Sequence, residues 1–84
     1  MCRNITTLRG LEPRATTEEI EAAARQFVRK VSGVHATSPT TQAAFEKAVR
    51  TVATATAELL VELPPRHQPP PTLPPLRRAV KAAT

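Results

Sequence analysis

Seven of the nine prolines fall in one run, PPRHQPPPTLPP at residues 64–75. Proline has no amide proton to donate and its ring fixes φ, so no helix continues through this run and extended polyproline II backbone is favoured. The chain is thereby cut in two. Residues 1–63 are left as the stretch able to build a domain, and residues 64–84 are expected to form a disordered, proline-rich basic tail. Charge divides at the same point. Residues 1–63 carry eight Arg or Lys and seven Glu, whereas 64–84 carry Arg66, Arg77, Arg78 and Lys81 and no acid. These four cations are candidate contacts for a polyanion, set against the plainer reading of a solvated end.

Upstream of the run, two helices are signalled. In ATTEEIEAAARQFVRKVSG, Thr16 and Glu19 have the spacing of a capping box, in which each side chain satisfies the other residue's free amide. Ile20, Ala23, Ala24, Phe27, Val28 and Val31 recur at helical spacing and form one apolar stripe. Glu18, Glu19 and Glu21 lie near the positive end of the helix dipole, and Arg29 and Lys30 near the negative end. Gly33 suits the left-handed residue that ends a helix, with Val34 folding back toward Val28.

The second helix follows HATSPTT, with Ser38 as the expected cap and Pro39 at the first helical position. Phe45, Ala48, Val49, Val52, Thr56, Leu59 and Leu63 keep the same period, and Pro64 ends it. A connection of roughly five residues favours antiparallel neighbours. Before the first helix, Asn4 and Gly10 bracket a short turn that brings Ile5, Leu8 and Leu11 against the pair. The expected fold is therefore all-α: an antiparallel αα-hairpin over residues 1–63 with a short N-terminal turn, followed by the tail at 64–84.

MCRNITTL, then LEP-AT, then FVRKVSG and QAAFEKAV resemble, in order and spacing, the bacterial family known as domain of unknown function 2277. The resemblance covers about residues 1–63. Arg14 stands where the family's EPPAT block has a second proline, which bears on the local bend. The resemblance implies a bacterial cytosolic setting and a helical fold, and it implies no definite activity.

Candidate chemistry is sparse. Removal of Met1 would leave Cys2, the only cysteine, with a free α-amine beside its thiol. Such an amine, with a pKa of about 7.7–8.0, is able to act as a base for the side chain. Arg3 favours the thiolate and Asn4 can donate to an oxyanion. Cys2, Arg3 and Asn4 are thus the candidate catalytic or redox residues, against the plainer reading of a terminus that fixes the first turn. Cys2, His35 and His67 have no metal-ligand spacing, and no metal or cofactor is expected. With two glycines there is no phosphate loop, and without Tyr or Trp stacking on nucleic acid is disfavoured.

No segment has the ~20 apolar residues of a membrane span, there is no signal-peptide run, and one thiol builds no internal disulfide framework. A cytoplasmic protein without membrane contact is expected. The reading leans away from an enzyme and toward an interaction module that self-associates. The two helices cannot cover both stripes between them, so Ile20, Phe27, Val31, Phe45, Val52 and Leu59 are expected to stay partly exposed in a monomer. The alternatives are the Cys2 site and weak accessory binding of nucleic acid by the tail.

Overall fold

The computed structural model describes residues 5–64 and 72–77. Two helices, α1 (Thr17–Ser32) and α2 (Gln42–Glu62), pack as an antiparallel hairpin, and there is no strand among the described residues. The capping box of α1 is complete: the Glu19 amide donates to Thr16 Oγ1 at 3.1 Å and the Thr16 amide donates to Glu19 Oε1 at 2.8 Å. Gly33 ends α1 in the left-handed region with φ 72°, and its amide donates to the Arg29 carbonyl at 2.9 Å.

The start of α2 differs from the sequence expectation. Thr41, not Ser38, occupies the cap position, and it makes no side-chain capping bond. Ser38 instead closes a turn before the helix. Its amide donates to Thr41 Oγ1 at 2.9 Å, and its carbonyl accepts from the amides of Thr41 and Gln42. The small hydroxylic residues bond to one another here, which competes with capping. The connection consequently spans residues 33–41, longer than the short loop expected.

The core has two clusters. Toward the connection, Ala24 and Val28 of α1 pack against Phe45 and Val49 of α2, with Val34 folded onto them. At the open end, Leu8 and Leu11 from the N-terminal segment cover Ile20, supported by Ala57 and Leu60. Gly10, at φ 92°, allows the turn between the two leucines. The expectation that Ile20 and Phe45 remain exposed is therefore corrected. Both are buried, Ile20 under the N-terminal segment and Phe45 between the helices. Phe27, Val31 and Leu59 do stay exposed.

The described part of the tail also departs from a free end. Leu73 packs on the open-end cluster and Pro74 is buried. A helical turn at 75–77 then brings Arg77 onto α1. The apolar end of a two-helix hairpin needs a cover, and Leu73 supplies a part of it that charge and proline content do not reveal.

Candidate functional site

Two surfaces carry chemistry. The first is an apolar groove of about 280 Å³ between the helices and the N-terminal segment. Ala23 and Phe27 of α1 form one wall, Val52, Thr56 and Leu60 of α2 the other, and Ile5 stands at the edge. Helical spacing creates the walls: Ala23 and Phe27 are four apart, as are Val52, Thr56 and Leu60. Phe27 is 46 % exposed and Ile5 42 %. The Thr56 hydroxyl is spent on the Val52 carbonyl at 2.7 Å, so that wall is apolar in effect. Thr6 Oγ1, also at the groove, is buried and has no hydrogen-bond partner among the described residues.

The second surface is a clasp at the start of α1. Glu19 is 4 % exposed. Arg77 Nε donates to Glu19 Oε2 at 2.7 Å, and Arg77 Nη2 lies 3.2 Å from Oε1. The same Nη2 donates to the carbonyls of Pro13 at 2.6 Å and Arg14 at 3.0 Å. Burial acts to raise the Glu19 pKa. The hydrogen bonds from Arg77 and Thr16 and the charge of Arg77 outweigh it and hold the carboxyl below its ordinary value. Arg9 makes a smaller clamp nearby, donating from Nε and Nη2 to the Pro64 carbonyl at 3.1 and 2.7 Å. It ties the N-terminal turn to the end of α2.

On the hairpin's flank, Arg25 forks onto Glu46 with bonds of 2.8 and 2.9 Å and lies 5.8 Å from the centre of the Phe45 ring. The hydrogen bond from Arg25 is the main cause that holds the Glu46 carboxyl below its ordinary value. The i, i+4 spacing points to Glu21 as a partner of Arg25, and that contact exists at 3.6 Å. The closer partner, Glu46, comes from the facing helix.

Of the residues singled out from sequence, Cys2, Arg3 and Asn4 lie outside the described residues, as do Arg66, Arg78 and Lys81. Arg77 is described, and its guanidinium is engaged by Glu19 and two carbonyls. Sequence reading assigned Glu19 to the cap and the dipole alone. Its second role is invisible there because Arg77 lies 58 positions away. Among the described residues no three of His, Cys, Asp or Glu converge as metal ligands, and no helix is long and apolar enough to cross a membrane.

No curated protein and no solved structure shows a significant match to this chain. A family model does match, over residues 1–84, so the tail falls within the match along with the hairpin. The chain belongs to the DUF2277 family of uncharacterized conserved proteins.

Proposed function

We propose that this chain is a small interaction module, not an enzyme, and that it pairs with a second copy of itself through the groove face. The observation that carries this is the exposure of Phe27, one of only two aromatic residues, at the edge of an apolar groove that Ile5 also borders. Val31 and Leu59, 66 % and 53 % exposed, extend apolar surface along the two helices. Exposed apolar surface of this kind marks interaction sites, and packing helix faces against each other is how a hairpin completes its layers. A setting in the bacterial cytoplasm is part of the same reading, supported by the family resemblance and by a single thiol, which suits a reducing compartment.

Sedimentation equilibrium tests the proposal. The wild-type chain is expected to dimerise by high micromolar concentration, with a melting temperature that rises with concentration. Phe27→Ala is expected to be monomeric with its helical circular dichroism retained. A wild-type monomer at high micromolar concentration would overturn the reading.

A second reading gives Cys2, with Arg3 and Asn4, a catalytic or redox role. It is supported by the free α-amine that removal of Met1 would leave beside the chain's single thiol.

A further inference from the structure

The start of α1 forms a seat for an arginine-bearing segment. Its polar wall is the buried Glu19 carboxylate with the carbonyls of Pro13 and Arg14, and its apolar floor is Leu11, Ile20 and Leu60. Leu73 rests on the floor, and all three acceptors of the wall converge on one guanidinium, that of Arg77. Without it Glu19 would be a buried carboxylate held only by Thr16, a costly arrangement. The seat thus demands a cation, with an apolar side chain four residues before it.

The seat-forming residues lie at 8–20 and 53–60, none of them next to 72–77 in the chain. Residues 65–71, which join the segment to α2, include four prolines. Covalent geometry alone lets seven residues span at most about 25 Å. A segment tethered in this way can enter the equivalent seat of a neighbour, because an identical element is exchanged between copies at little cost. The sequence that fits the seat, Leu73 to Arg77, is carried by every copy.

We infer that the Glu19 seat also takes the 72–77 segment of a second copy, so that two chains exchange their C-terminal segments. This rests on the self-association reading for the identity of the partner, and it names a second contact for that assembly.

Complementation between two full-length variants tests it. Arg77→Ala keeps the seat but loses the arginine. Glu19→Gln keeps the arginine and, since glutamine also serves in a capping box, the helix start, but loses the seat's charge. Circular dichroism first establishes that each is folded, and Arg77→Gln replaces the alanine variant if helix is lost. One variant is isotope-labelled, and native mass spectrometry then reads the species in an equimolar mixture. Exchange predicts a mixed pair at least about tenfold tighter than either variant with itself, since it alone holds an intact charge-assisted clasp. A mixture with no excess of the mixed pair overturns the exchange. The Phe27→Ala result judges the groove face separately, because an enriched mixed pair upholds exchange whatever that substitution does to the wild-type dimer.

Discussion

The guanidinium of Arg77 and the carboxylate of Glu19 meet from opposite ends of the chain, and Glu19 is at the same time the residue that closes the capping box of α1. The first turn of the helix and the anchorage of the C-terminal segment are therefore one hydrogen-bonded unit. A substitution at Glu19 is felt at both.

Acid should loosen that unit. The Glu19 pKa is pushed up by burial but brought below its ordinary value, about 4.3, by the bonds from Arg77 and Thr16. A carboxyl whose folded pKa is lowered contributes stability that is full above its unfolded value and is lost as pH falls through the folded one. Glu46, lowered by its bond to Arg25, acts in the same direction. Both contributions are therefore complete near neutrality, where the melting temperature should show no pH dependence from either group, and it should fall below about pH 4.3. Glu19→Gln should flatten this acid limb in part and leave the Glu46 share. Thermal unfolding between about pH 3 and 7 checks this, and an unchanged acid limb in the variant would count against the clasp.

Phe45 and Phe27 should separate sharply on truncation. Phe45 is 6 % exposed, in the cluster with Ala24, Val28 and Val49. Phe45→Ala should cost about 3–5 kcal/mol, as much as the ~3–5 kcal/mol a core of this size supplies. Circular dichroism at 25 °C should show that variant largely unfolded. Phe27→Ala, at an exposed position, should change monomer stability by less than about 1 kcal/mol.

Leu73 should matter to the hairpin although it lies beyond the prolines. Its half-buried side chain on the open-end cluster is worth about 1 kcal/mol. Leu73→Ala should accordingly lower the melting temperature by about 4–8 °C. Deletion of residues 72–84 should lower it further, since Arg77 goes too. Differential scanning calorimetry on the three chains checks this; equal melting temperatures would mean that the segment is a bystander.

Cys2 offers a test of the second reading. With Met1 removed, its thiol should be alkylated with a midpoint well below the ordinary thiol value of about 8.5, because Arg3 and the adjacent amine favour thiolate. Intact mass establishes the mature start, and alkylation rates against pH give the midpoint. An ordinary profile would withdraw the chemical role.

What the sequence made legible is what neighbouring residues decide. Thr16 with Glu19, the Ile20-to-Val31 stripe and Gly33 are signals that act within four residues or along one helix face, and the structure follows each. The cap of α2 was ambiguous because Ser38, Thr40 and Thr41 compete for the same bonds. The burial of Ile20 depends on Leu8 and Leu11, and how far such a turn reaches is a tertiary matter. Least legible was Arg77, which reads as a free cation by its proline-rich surroundings and is engaged only by a carboxylate and backbone carbonyls that folding brings close. The groove was half visible: periodicity exposes Phe27, but only the path of residues 5–8 shows that the groove has a third side.

Ala53 belongs to both apolar clusters, touching the Phe45 group on one side and the Ile20 group on the other. A methyl group shared in this way leaves the hairpin no internal seam along which one end could melt while the other holds. Amide protons on the two sides of Ala53 should consequently exchange through the same opening event, with the hairpin behaving as a single foldon. The chain then gains or loses its whole apolar scaffold at once, and the groove and the arginine seat appear and vanish together.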